Sequence, residues 1–174
     1  MLSYVDYSNN IPVEVLGLLK LPYLFRPSLV KTRTSKKWKP SSQEQADGFI
    51  CNITVMADLE TMLVKRKEKL RSYGLTCQPL IITVGDPTSF SAIYVIVNEV
   101  KYAASNLIGA VDMCFKVHYA LNAKYSPESE TVWVFLQKFF YGIKGCKHFV
   151  TVEVVWSDIL IHQKSNVEDS SADE

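Results

Sequence analysis

The sequence predicts an α+β domain: a small mixed or antiparallel sheet packed against two to four helices, with a basic N-terminal arm and a disordered acidic C-terminal tail. Three observations carry this prediction. Residues 57–73 and 106–121 place apolar side chains three and four apart, the spacing of one helix face. Residues 49–55, 80–84 and 93–97 are short runs rich in Ile and Val, which fit a pleated, half-buried surface. Hydrophobic residues make up 48% of the chain and charged ones 21%, enough apolar material for one sizeable core. The expected division is an N-terminal segment and basic linker over residues 1–40, the α+β domain over 41–160 and the tail over 161–174.

The elements follow in chain order. Val13, Leu16 and Leu19 allow one short helical piece between the breakers Pro12 and Pro22. Residues 26–40 turn basic, with prolines at both ends and few apolar anchors, which is the character of a linker or exposed arm. Ser41 or Ser42 caps a helical turn through Ala46, and residues 49–55 form the first strand. The helix over residues 57–73 has Leu59, Met62, Leu63 and Leu70 as its apolar set. Asp58 and Glu60 sit at its positive end, and Gly74 stands where a left-handed cap is least strained. Residues 80–84 make a strand closed by the turn Gly85-Asp86-Pro87. Residues 93–97 make another, and residues 100–103 return through Asn98-Glu99 as a hairpin.

Asn106 opens a helix on which Leu107, Val111, Cys114, Phe115, His118 and Leu121 form one stripe. Ser126-Pro127 signals the start of the next, a capping hydroxyl followed by proline where its missing N–H is not needed. Val132, Phe135, Leu136, Phe139 and Ile143 supply its buried face. Residues 149–156 alternate as a last strand, with Val150, Val152, Val154 and Trp156 on one side. Residues 165–174 are polar and acidic, and disorder is expected there.

The net charge of +1 conceals a gradient along the chain. Residues 1–80 hold 12 Lys and Arg against 7 Asp and Glu, whereas residues 81–174 hold 7 against 11. Such a balance decides nothing about nucleic acid unless the basic half forms one surface. Cys51, Cys77, Cys114 and Cys146 are far apart, unlike a secreted disulfide scaffold. Reduced thiols and an intracellular location, cytoplasmic or nuclear, are therefore expected. No secretory leader is legible. The most apolar stretch, residues 79–100, is broken by Asp86 and Pro87, so no membrane span is expected.

Chemistry-bearing patterns are few. Cys114 with His118, followed by Cys146 with His148, is the one metal-like arrangement. Helix residues four apart share a face, but the second pair is two apart and fits no zinc spacing. Buried core residues are the better account, and neither a metal nor a cofactor is expected. No serine sits in a glycine-flanked elbow, and Asp86 belongs to a turn, not a phosphate loop. No catalytic residues emerge, which weighs against an enzyme.

Two basic segments are candidate nucleic-acid contacts. One carries Arg26, Lys31, Arg33, Lys36, Lys37 and Lys39 with Trp38 among them; the other is Lys65, Arg66, Lys67, Lys69 and Arg71 on a helix. Runs of this kind are more often solvated faces. Trp133 and Phe140, seven apart on the aromatic helix, are the candidate protein interface, although burial is the commoner fate of such residues.

Several phrases together resemble one family: Leu24-Phe25-Arg26-Pro27, Lys65-Arg66-Lys67-Glu68-Lys69-Leu70, residues 78–85, residues 110–116, Tyr125-Ser126-Pro127-Glu128 and residues 132–137. The chain is similar to the C-terminal region of vertebrate proteins labelled sterile-alpha-motif-domain-containing protein 3-like. The resemblance spans about residues 24–143, and residues 144–174 depart from it. It implies kinship with proteins that can carry an N-terminal sterile-alpha-motif helical module, an interaction domain not expected in this chain, and no catalytic residue is carried over. The leading expectation is a non-enzymatic protein–protein interaction module, with partner and oligomeric state open. The alternative is a nucleic-acid-associated module using residues 26–39 and 65–71. An enzyme with a dispersed site is a third, lesser reading.

Overall fold

The computed structural model describes residues 11–170 apart from Cys146, with side chains through Gln163. A four-stranded mixed sheet is built from β1 (Ile50–Ile53), β2 (Leu80–Asp86), β3 (Ser89–Val97) and β4 (Val100–Ala103), in the order β1-β2-β3-β4. β1 and β2 are parallel, so the chain between them must cross over the sheet, and helix α3 (Leu59–Ser72) does this. β2, β3 and β4 form an antiparallel meander.

Strand alternation divides the sheet between two apolar layers. Leu80, Ile82 and Val84 of β2 join Cys51 and Ile53 of β1 against Leu59 and Met62 of α3. Ile81, Ile93 and Val95 point the other way, into the larger core. There they meet α4 (Leu107–Ala120) and α5 (Glu130–Phe139), and also Phe49 at the end of α2 (Ser42–Phe49). Helices α1 (Val13–Lys20) and α6 (Val150–Ser170) pack onto the same core through Val15, Leu18, Val152 and Trp156. Thr83, wholly buried, donates its hydroxyl to Asn52 Oδ1 at 2.8 Å across the parallel pair, which satisfies the one polar side chain inside β2.

Most local signals act as the sequence suggests. Ser41 caps α2 in a full capping box, its Oγ accepting from Glu44 N–H while Glu44 accepts from Ser41 N–H. Asn106 Oδ1 caps α4 by accepting from Gly109 N–H at 2.7 Å. The β3–β4 turn works without glycine because Asn98 takes φ 56°, a left-handed conformation that asparagine tolerates better than most residues. Asp86 Oδ1 accepts both the Oγ1–H and the N–H of Thr88, an Asx turn that holds its carboxyl below the usual range.

The α+β class stands, with six α-helices among the described residues where two to four were expected. Several finer expectations need correction. Residues 150–156 are helical, not a strand. Val152, Val155, Trp156 and Ile159 pack inward at helical spacing, while Val150 and Val154 are exposed. The valines favour a strand locally, but the inward contacts need a period of 3.6. The tail expected from residue 161 instead continues α6 to Ser170, and residues 171–174 lie outside the described residues.

The α5 start also differs. Helix α5 begins after Ser129, while residues 126–129 form a turn closed by Ser129 N–H donating to the Ser126 carbonyl. Ser126 Oγ has no hydrogen-bond partner among the described residues and does not cap the helix.

Residues 26–39 are anchored and are not a free arm. Val30 and Trp38 form an antiparallel bridge, and Val30, Trp38 and Leu70 make a small third core. Trp38 stacks on Tyr73 at 5.0 Å. Arg33 N–H donates to the Tyr73 carbonyl at 3.1 Å, and its Cβ lies against Gly74, whose φ of 68° and missing side chain let the segment approach. No helix among the described residues is long and apolar enough to cross a membrane.

Candidate functional site

The two basic segments meet different fates. On α3, Arg66 pairs with Glu128, Lys69 with Glu44, and Lys67 with Glu99 at 3.3 Å. Lys69 Nζ also lies 4.9 Å from the Trp38 ring centre. Burial works against ionisation of Glu44, yet hydrogen bonds from Lys69, the Ser41 N–H and Trp38 hold its carboxyl below the usual range. Lys65 and Arg71 are exposed and form no ion pair among the described residues. Most of this run is therefore consumed within the fold.

The Arg66–Glu128 pair is the most enclosed of these contacts, with side-chain exposures of 15% and 2%. Glu128 reaches it by lying directly on Gly48, where a Cβ would overlap its Cγ. Ser129 reinforces the approach by donating its hydroxyl to the Gly48 carbonyl at 2.8 Å. Together α2, α3 and this corner enclose a hollow of about 410 Å3.

A larger cleft has a volume of about 1090 Å3. Its walls are residues 28–33, the end of α4, the corner before α5 and the segment leading into α6. Lys31, Arg33, Lys124 and Lys147 line it, against the single carboxylate of Glu130. Glu130 is bound by Lys147 at 2.9 Å, while Lys31, Arg33 and Lys124 form no ion pair among the described residues. Tyr119, 63% exposed, Tyr125 and Phe149 supply aromatic surface. Arg26, Lys36, Lys37 and Lys39 are exposed but do not line the cleft.

His118 reaches this cleft from α4 and is 2% exposed. Its ring lies 5.0 Å from Tyr125 and 5.3 Å from Trp133. Burial lowers its pKa to about 4, so the imidazole is neutral at pH 7. The backbone at Lys124 and Ala123 faces the ring and favours its N–H. Even so, among the described residues neither ring nitrogen meets a partner at full hydrogen-bond distance and angle.

The other sequence candidates are structural. Trp133 is wholly buried between Phe49 and Tyr125, so it cannot form the expected protein interface. Phe140, the cap residue just past α5, is 69% exposed. The seven-residue spacing put both on one face, but α5 is buried around most of its girth and ends at Phe139. Trp38 is likewise buried rather than available to stack on a base. Cys114 is wholly buried and its thiol is pushed up to about 12 by burial. No group of three or more metal-ligating side chains occurs among the described residues, and Cys146 lies outside them.

Sequence reading missed Lys124, Lys147, Tyr119 and the place of His118. Lys31 and Lys124 are brought together only by the fold, so no local pattern marks them. No family model, curated protein or solved structure matches the chain, and the site's geometry carries the functional argument.

Proposed function

We propose that this protein is a non-enzymatic binding module whose cleft holds a short stretch of single-stranded nucleic acid. One observation carries the reading: Lys31, Arg33 and Lys124, which form no ion pair among the described residues, line one concavity with exposed aromatic surface. Fixed cations track a phosphate backbone and displace its counterions, and aromatic rings accept unstacked bases without sequence preference. The α3 run, expected to share this role, has too few free cations to add much. An intracellular location accompanies the reading, supported by the free thiols of Cys51, Cys77 and Cys114.

Fluorescence anisotropy with a labelled oligo(dA) tests it. Binding should weaken with salt, at a log–log slope of about −2 for three contacts at about −0.7 each. Alanine at Lys31, Arg33 and Lys124 together should abolish it. Absent or salt-independent binding would overturn the proposal.

A second reading, contact with a protein partner, has its own observation. Phe140, just past α5, and Val150, Val154 and Ile161 of α6 are all more than half exposed. Concentration-dependent mass in sedimentation, or co-purification of one partner abolished by Val154→Asp, would support it. A strict monomer without partners would remove it.

A further inference from the structure

We propose that Ser35 is a phosphorylation site, modified by a protein kinase that selects basic segments, and that the phosphate gained there weakens the cleft's hold on nucleic acid. The modification site stands on the geometry of its own loop, whereas its effect rests on the single-strand reading above.

Residues 31–37 form a loop whose base is fixed by the Val30–Trp38 bridge, with both of those side chains buried. The hydroxyls in this loop are not equivalent. Thr32 staples it, its Oγ1–H shared between the Lys36 carbonyl at 2.6 Å and the Thr34 carbonyl at 3.1 Å. Thr34 Oγ1 accepts from the Lys36 N–H at 3.4 Å. Ser35 is exposed at the bend, and among the described residues neither its backbone nor its hydroxyl makes a hydrogen bond. An enzyme that modifies a side chain draws the surrounding backbone into its own groove, which costs least where no hydrogen bonds must first be broken. Of the hydroxyls in this loop, Ser35 alone meets that condition.

The neighbours of Ser35 define the class of enzyme. Arg33 lies two residues before it and Lys37 two after, with Lys36 adjoining and Lys31 four before. All four are exposed and form no ion pair among the described residues, so their charge is open to a groove lined with carboxylates. Ser28 gives the contrast. It is exposed with Arg26 two residues before it, but Val30, two residues after, is buried in the bridge, and neither residue between Ser28 and Lys31 is a cation.

The step is a phosphoryl transfer from MgATP. Ser35 Oγ bonds the γ-phosphorus as the bond from that phosphorus to the β,γ-bridging oxygen breaks. ADP leaves, and the hydroxyl proton passes to the kinase's carboxylate base. The phosphate carries a charge of about −1.5 to −2 at pH 7. Two residues of chain span at most ~7 Å, so the new charge falls within a Debye length, about 8 Å, of the Arg33 backbone. Arg33 lines the cleft, and so does Lys31 at the base of the same loop. The phosphate gives these cations a partner within the chain, in competition with the phosphates of a bound strand.

The experiment incubates the full chain with MgATP and the catalytic fragment of protein kinase C, maps the phosphate by mass spectrometry and repeats the oligo(dA) titration. Phosphate is expected on Ser35, in the wild type and in Thr34→Ala alike. The phosphorylated protein should bind oligo(dA) about tenfold more weakly, with its salt slope reduced by about 0.7 to 1.4, the share of one or two phosphate contacts. Ser35→Ala treated in the same way should bind as the untreated wild type does, which also reports that the variant is folded. No phosphate on the native chain, or phosphate placed as readily on Thr34 or Ser28, would overturn the site. Phosphate on Ser35 with affinity unchanged would overturn its effect and leave the clamp intact. If the unmodified chain binds no oligo(dA), the single-strand reading and the effect fall together, while phosphate on Ser35 still establishes the site.

Discussion

The α2–α3 hollow and the His118 cleft both gather charge, but only one balances it. In the hollow, Arg66 and Lys69 each face a carboxylate, and Glu128 is pressed onto Gly48 to complete the set. In the cleft, Lys31, Arg33 and Lys124 have no carboxylate partner among the described residues, and a buried, neutral His118 shares the lining with them. The hollow uses charge to hold three elements together; the cleft keeps its charge available. A basic run in a sequence therefore says little until its counter-charges are placed.

The largest expected effect falls on the balanced side. Glu128→Ala leaves Arg66 enclosed without a counter-charge and should cost about 3–5 kcal/mol in urea unfolding. The oligonucleotide affinity of the folded protein should stay as it was. A loss below about 1 kcal/mol would put this contact among exposed ion pairs and break the contrast.

Trp38→Ala comes next. It removes a buried ring that stacks on Tyr73 and lies under Lys69, and should cost about 3–4 kcal/mol. Because Trp38 pins residues 26–39, oligonucleotide binding should weaken as well. An unaffected affinity would show that Lys31 and Arg33 need no anchoring.

Acid should act on the cleft side. The His118 pKa lies near 4 when folded against 6.5 as its ordinary value, so the unfolded chain takes up the proton first. Its contribution is fully present above pH 6.5 and is lost as pH falls towards 4. In full it amounts to about 3 kcal/mol, because each tenfold difference in proton affinity is worth about 1.4 kcal/mol. The stability gap between wild type and His118→Phe should change by this amount between pH 7 and pH 4. A constant gap would show that His118 is as accessible folded as unfolded.

The smallest effects separate the two sides most cleanly. Lys67→Ala should change stability by less than about 0.5 kcal/mol, because its partner Glu99 is almost fully exposed. Lys31→Ala should be equally mild on stability, yet reduce the salt slope of binding by about 0.7. If Lys67→Ala reduces that slope as much, the α3 run binds nucleic acid after all.

What was legible in the sequence follows the range of the forces involved. Helices α3 and α4, the strand β2 and the Ser41 cap are specified by spacing and capping within a dozen residues, and they stand where the sequence places them. Ser126-Pro127 misled because a capping pair and a turn look alike. Here Glu128 and Ser129 are drawn to Arg66 and Gly48, which delays the helix. The valines of α6 misled because their composition favours a strand while their inward contacts need a helix. The cleft was illegible for a plainer reason. Lys31 and Lys124 become neighbours only through tertiary packing, and nothing near either one records that it lacks a carboxylate.

The meeting of Gly48, Arg66 and Glu128 has a consequence for how this chain can vary over time. A side chain gained at position 48 displaces the carboxylate, and a lost carboxylate strands the guanidinium. These three positions must therefore be inherited as a unit. Among related chains, glycine at the first should predict the presence of both charges at the others.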